Sequence, residues 1–307
     1  MTVLNEPQHQ NDEAARTWFE KMRWPDGVVC PHCGTLGTAY ARSKPGLYRC
    51  AERECRKDFT VTTKSVMQSS HIPLRLWAQA FTLLCSSKKG MSAHQIHRTL
   101  KITYKSAWFL CHRIRLAMKS GGLEPLGGEG KIIESDETYW GPKDVDTNPA
   151  MKRRRRGKPG PGGKARIMTL VERGGRARSV HVSDLTNETM QNILLANADR
   201  KSRLMTDEGT SPSIGLLFAS HETVKHSAYE YARGDVTTNT VEGYFGVFKR
   251  GMRGTYQHCK EKHLHRYLSE FDFRYNYRMK LGYNDGDRAA LAAKNAAGKR
   301  LTYRQPH

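Results

Sequence analysis

The sequence predicts an α/β chain built in parts: a small metal-stabilised module, a helical segment, and a larger mixed-sheet domain. Three observations carry this. Four cysteines fall in two close pairs between positions 30 and 55. The segment KSGGLEPLGGEG, residues 119–130, holds five glycines and a proline and marks a boundary. Before it the apolar residues recur at helical spacing, and after it runs of strand character alternate with helical ones.

The first part covers residues 1–27, with a short amphipathic helix around Ala14–Met22 ending at Trp24-Pro25-Asp26-Gly27. Residues 28–63 follow, too rich in Cys, Gly and Tyr for long helices. Cys30-Pro-His-Cys33 is a C-x2-C knuckle, and sixteen residues separate Cys33 from Cys50. The second pair, Cys50 and Cys55, has four intervening residues, within the range seen at structural zinc. So small a polar segment cannot fold on core burial alone, and zinc held by Cys30, Cys33, Cys50 and Cys55 supplies the missing stability. Cys85 and Cys111 fall on apolar helix faces and read as packing residues.

Residues 64–120 predict three helices, at 73–87, 92–100 and 104–119, with Pro73 in a first turn and Ser92 opening a capping box. Their spacing suggests a helix-turn-helix. Lys105, His112, Arg113 and Arg115 then line the polar side of the last helix as a recognition surface. An ordinary helical connector is the alternative.

Beyond the linker at 121–130, strands are expected at 131–139, 166–172, 178–182, 203–206 and 224–231. Helices are expected at 189–198, 240–250 and 263–278, with a helical turn or two at 213–219. This domain runs over 131–280, and 281–307 reads as a basic tail. Between the first two strands, MKRRRRGKPGPGGKAR carries eight basic residues and no acidic one. Arg153, Arg154, Arg155 and Arg156 form its centre, a loop suited to a polyanion.

Charge points the same way. The 307-residue chain has 51 Lys and Arg against 30 Asp and Glu, a net +21, which fits nucleic acid as partner, with charge-based solubility the plainer alternative. No apolar run approaches the ~18 residues of a membrane span, and the polar N-terminus lacks a signal peptide's core. A cytoplasmic chain, with reduced cysteines, is expected.

Carboxylates recur where strands end. In KIIESDETYWG, Glu134, Asp136 and Glu137 follow an apolar run, and in RLMTDEG Asp207 closes another. Glu242 follows in the helix NTVEGYFGVFKRG, 35 positions after Asp207. Clustered acids repel unless a cation neutralises them. Magnesium prefers such hard oxygen ligands, and two ions can hold the attacking and leaving oxygens of a phosphoryl displacement. Asp136 is the expected ligand, with Glu134 or Glu137 in support. By alternation Glu134 shares a face with Asp136, and Glu137 points the other way. Lys249, two turns after Glu242, is placed to grip DNA.

The cysteine knuckles, SDETYWG, MTDEG, YEYARGDVTTNTVEGYFGVFKRGMRGTY and HLHRYLSEFDFRYNYR together resemble bacterial insertion-sequence transposases of the zinc-ribbon, ISXO-like group, over roughly residues 15–280. The resemblance implies an RNase H-like catalytic domain with a DDE triad, Asp136, Asp207 and Glu242, using Mg2+ or Mn2+ and followed by the basic Lys249. It implies double-stranded DNA as partner, both the element's terminal repeats and the target, with a homo-oligomer assembled on it at the bacterial nucleoid. Two features depart from the pattern. The second knuckle is longer than the family's usual C-x2-C. Some relatives carry Asn as third member, so Asn239 competes with Glu242 or assists it, unless it only caps the helix. Arg250 lies beside Lys249. On the last helix Glu270, Arg274 and Arg278 recur every four residues, either as surface salt bridges or with the arginines on DNA phosphates. A nuclease without joining activity and a silent DNA-binding derivative are the rival readings.

Overall fold

The computed structural model describes residues 3–119, 121, 124–141, 164–209, 211–224, 228 and 232–302. They form two compact units, Met1–Ser120 with Tyr277–His307, and Gly121–Asn276.

In the first unit, helix α1 (Asp12–Arg23) starts where the Asn11 side chain accepts from the Ala14 amide, and it buries Ala15 and Phe19. A three-stranded antiparallel sheet follows: β1 (Ala39–Ala41), β2 (Tyr48–Cys50) and β3 (Asp58–Phe59). Strands this short hold few ladder bonds, and aromatic packing assists them. Tyr48 stacks on Phe59, and Trp24 meets both rings edge-on. Helix α2 (Leu74–Ser86) buries Trp77, Phe81 and Leu84. Helices α3 (Ala93–Leu100) and α4 (Tyr104–Met118) are capped by Ser92 and Thr103, each accepting from the amide three residues on.

Within the expected basic tail at 281–307, residues 285–294 instead join this core, and 303–307 lie outside the described residues. Helix α8 (Asp285–Lys294) opens on an Asn284–Asp287 capping box and packs against α2, α1 and α4. Its Arg288, 7% exposed, donates to the carbonyls of Cys85 and Tyr277. The alanine face of α8 (Ala289, Ala292, Ala293) carries no strong apolar signal in sequence, yet small side chains permit this close approach.

The second unit is a five-stranded sheet in the order β6-β5-β4-β7-β8. The long central strand β4 (Ile132–Trp140) pairs antiparallel with β5 (Ala165–Glu172), which turns into β6 (Ala177–Val182). On its other edge β4 pairs parallel with β7 (Arg203–Asp207), and β7 with β8 (Ser220–Val224). Strand β8 therefore starts before the expected 224–231, of which 225–227 and 229–231 lie outside the described residues. Helix α5 (Asn187–Asn197) covers one face through Met190 and Leu194, which join Ile133, Leu170 and Leu204. Leu126 belongs to that core at 1% exposure, so the glycine-rich stretch is structural there rather than a free linker. Helices α6 (Asn239–Gly251) and α7 (Glu261–Asn276) cover the other face, where Val241, Tyr244, Phe248, Leu268 and Phe271 pack on Ile167 and Val171. Each such fully buried side chain contributes about 1.5–3 kcal/mol.

Candidate functional site

The zinc-binding residues converge. All four sulfurs, of Cys30, Cys33, Cys50 and Cys55, lie within 4.8 Å of one another. Cys30 and Cys55 Sγ are 3.8 Å apart, and Cys33 and Cys50 Sγ 3.6 Å. Four thiolates at ~2.3 Å from one zinc sit about 3.8 Å apart along a tetrahedron's edges. The separations fit that ion and are far too long for disulfides. Gly34, at φ +82°, makes the knuckle turn and donates to the Cys30 carbonyl at 2.8 Å. The Thr35 hydroxyl and amide hold the Cys33 thiol down at about 6, whereas burial pushes Cys50 up to about 12. Thiols this close cannot all ionise without a cation between them. The widened second knuckle therefore still closes the site.

The acids are arranged by strand register. β4 and β7 pair Ile132 with Arg203, Ile133 with Leu204 and Glu134 with Met205. The same offset of 71 relates Asp136 to Asp207, which stand level on adjacent parallel strands two positions past the last pair. Alternation puts both on the face of Glu134 and Met205, the side covered by α6. Both are half-buried. Asp136 Oδ1 accepts from the Glu137 amide at 2.7 Å, and Asp207 Oδ1 from the Gly209 amide at 3.1 Å. Glu137 is pushed up to about 7, first by burial and then by the negative charges of Asp207 and Asp136. Glu242 is exposed on the first turn of α6, where the Thr238 hydroxyl donates to it at 3.1 Å. Asn239 is exposed and is the first residue of α6, with Thr238 at the cap position, so it is not the N-cap. Among the described residues, the cysteines are the only group of three or more such ligands gathered within 4.8 Å. Asp136, Asp207 and Glu242 are not gathered in that way.

Glu134 has a different job from the one expected. It is fully buried, and its carboxylate accepts from the amides of Thr240 (2.6 Å) and Val241 (3.0 Å) and from the Thr240 hydroxyl (2.8 Å). These amides belong to the first turn of α6, where no helical partner exists. Arg173 completes the clamp, reaching Glu134 Oε1 from Nε at 2.9 Å and from a terminal nitrogen at 2.7 Å. It also donates to the carbonyls of Asp235 and Thr237 at 2.9 and 3.3 Å. Glu134 thus docks the tip of the Glu242 helix onto the strand of Asp136. Alternation alone could not show this, and Arg173, in the Arg173-Gly174-Gly175 turn, carries no signal in sequence.

The basic residues divide. Lys105 is exposed, as is Arg250. Lys249 is half-buried with its ammonium 5.8 Å from the Phe245 ring centre. Arg113 is half-buried and stacks on Phe109 at 4.5 Å. Arg115, at 3% exposure, and His112, at 1%, lie in the core and do not form the expected recognition surface. Arg274 is corrected likewise. It is 7% exposed and ion-paired to Glu270, itself fully buried and bonded by the Tyr256 hydroxyl, so it is neither a surface bridge nor a phosphate contact. Arg278 is half-buried. Arg153, Arg154, Arg155 and Arg156 lie outside the described residues.

A cysteine-held ribbon and a mixed sheet with level aspartates define a protein with metal-binding and acid-rich modules. Comparison with known families places it: residues 10–58 match the transposase zinc-ribbon domain, and residues 125–276 the ISXO2-like transposase domain. The chain belongs to the ISXO2-like insertion-sequence transposase family. Among curated proteins it is similar to an uncharacterized protein in transposable element ISH50 of Halobacterium salinarum. The identity is 25% over 278 residues, covering 86% of this chain and 90% of that protein. Among the described residues no helix is long and apolar enough to cross a membrane.

Proposed function

We propose that the chain is a DNA transposase that cuts its element's ends and joins them to target DNA, with Asp136, Asp207 and Glu242 as the catalytic set. The observation that carries this is the level placement of Asp136 and Asp207 on adjacent parallel strands, beneath the helix that presents Glu242. The strand order, three antiparallel strands followed by two parallel ones with helices on both faces, supports an RNase H-like reading. Asp136 and Asp207 are hard oxygen donors on one face, and their negative charges add to burial in raising Glu137 beside them. These donors fit Mg2+ or Mn2+, which Asp136, Asp207 and Glu242 would hold. Bound there, the ions supply neutralisation of the phosphate and activation of the attacking oxygen. Lys249 and Arg250 follow Glu242 on the same helix and grip the DNA backbone near the reacting phosphate. Asn239 at the start of that helix assists Glu242 in place of capping. The ribbon holds structural zinc, and paired DNA ends call for a homo-oligomer acting on chromosomal DNA in the cytoplasm.

The test is Asp207→Asn. It keeps DNA binding and loses cleavage of duplex DNA carrying the gene's own flanks, and it loses joining of a pre-cleaved 3′ hydroxyl end to plasmid. Equal cutting by variant and wild type would sink the assignment. Cutting without joining by the wild type would make the protein a nuclease.

A further inference from the structure

The sheet face that carries Asp136 continues past it. On β4, Thr138 and Trp140 follow Asp136 at alternate positions, so all three side chains project toward the face covered by α6 and α7. Trp140 lies roughly 13 Å along the strand from Asp136. There it lines a cavity of about 830 Å³, walled also by Lys164, Arg253, Gln257, His258 and Lys260. Pockets that enclose a small organic molecule fall in this size range.

Three features mark this cavity. The first is its ring. Trp140 meets Phe248 edge-on, with centroids 5.9 Å apart, and is only half-buried. Its indole nitrogen is buried, and among the described residues nothing accepts its hydrogen. No hydrogen bond therefore anchors the ring, which gains by turning toward a ligand that offers an acceptor. The second is charge. Arg253, His258 and Lys260 are exposed and Lys164 is half-buried, whereas Glu261, the acid in the lining, is bonded to His181 Nε2 at 3.0 Å. Lys260 and Lys262 flank the first residue of α7, the helix end at which the dipole disfavours cations. The third is the backbone. Gln257, at φ 54° and ψ −54°, centres a strained three-residue turn closed by the His258 amide on the Tyr256 carbonyl. A single π-helical turn, Met252–Tyr256, leads into it. Both kinds of irregularity recur at functional sites.

We propose that the cavity takes one unpaired nucleotide of the DNA strand that passes Asp136. The base stacks on the Trp140 ring, and Lys164, Arg253 and Lys260 neutralise the adjoining phosphate. Gln257, exposed on its strained turn, offers an amide to the base edge. A lone anion would use the cations but has no call on the ring. A paired base keeps its faces inside the duplex stack, whereas an unpaired nucleotide offers an aromatic face and a phosphate together. This inference rests on DNA as substrate but is independent of which acids cut it.

The experiment titrates the full chain, without divalent metal, against duplex carrying the gene's own flanks. A second series uses the same duplex with an abasic site opposite one nucleotide, moved position by position across the boundary. At one or two positions the abasic partner raises wild-type affinity about tenfold, because that nucleotide no longer has to be unpaired on binding. Trp140→Ala abolishes this rise and leaves affinity for the fully paired duplex within about twofold of wild type. Trp140 also packs on Phe248, so a circular-dichroism melt checks the fold of that variant. Arg253→Gln with Lys260→Gln, both at exposed positions, is the second variant and lowers the rise severalfold. Equal affinity for abasic and paired duplex at every position overturns the proposal. So does a rise that is unchanged in the charge variant, or one that survives in folded Trp140→Ala and so reports a phosphate contact only. Flank cutting that persists in those cases leaves the transposase reading standing. Wild-type protein that neither binds nor cuts the flanks overturns both.

Discussion

Replacing Glu134 by Gln is the most informative single change to the fold of the second unit. The side chain keeps its size but loses its charge, and one carboxylate oxygen becomes an amide donor. In the native protein the carboxylate accepts five hydrogen bonds: two from Arg173, two from backbone amides of α6 and one from the Thr240 hydroxyl. Gln cannot accept at both positions, so either Arg173 or the α6 amides meet a donor. Removing one partner of a buried ion pair costs about 3–5 kcal/mol. The Arg173 side chain is 29% exposed, so water takes up part of its charge and the lower end applies, about 3 kcal/mol. For a unit of this size each kcal/mol lowers the melting temperature by about 2–4 °C, so a fall of roughly 6–12 °C is expected by calorimetry. Because the clamp holds the helix of Glu242 against the strand of Asp136, DNA cleavage should fall by more than DNA binding does. A melting temperature within about 2 °C of wild type would refute the clamp.

Other expectations follow from the same geometry. Purified wild-type protein should carry one zinc per chain by elemental analysis, and Cys50→Ser should lose it together with protection of the ribbon from proteolysis; retained stoichiometric zinc would exclude the four-sulfur site. Arg274→Gln strips the fully buried Glu270 of its ion pair and should lower thermal stability by several degrees while leaving the salt dependence of DNA binding unchanged. A flatter salt slope with unchanged stability would return Arg274 to the DNA surface. Replacing Arg153–Arg156 by glutamine should flatten the dependence of log affinity on log salt, and an unchanged slope would leave that loop without a role in DNA binding.

The contrast between Arg274 and the cysteines shows what a sequence carries. Metal spacing is local, so Cys30, Cys33, Cys50 and Cys55 can be grouped from their intervals alone, wider knuckle included. Strand β4 is legible because Ile132 and Ile133 precede polar residues, whereas the level placement of Asp136 and Asp207 is visible only through the register with β7. Helical periodicity gives α2, α4 and α6 to within a residue or two. It fails for Arg115 and Arg274 because residue type implies exposure, whereas a buried partner, Glu270, stabilises Arg274 in the core. Strand β8 starts four residues before its expected range since SHETV has no apolar alternation; it is held by pairing with β7, and of its residues Val224 alone is buried. The return of α8 to the first unit is a long-range contact, which local pattern cannot encode.

The most direct test of the catalytic reading is cleavage of DNA bearing the gene's genomic flanks, with magnesium or manganese, by wild type and by Asp136→Ala. Metal-dependent nicks at the element boundary are expected from the wild type and none from the variant, which still binds the DNA. Nicks of equal yield from the variant, or cutting that persists in chelator, would contradict a metal site built on Asp136.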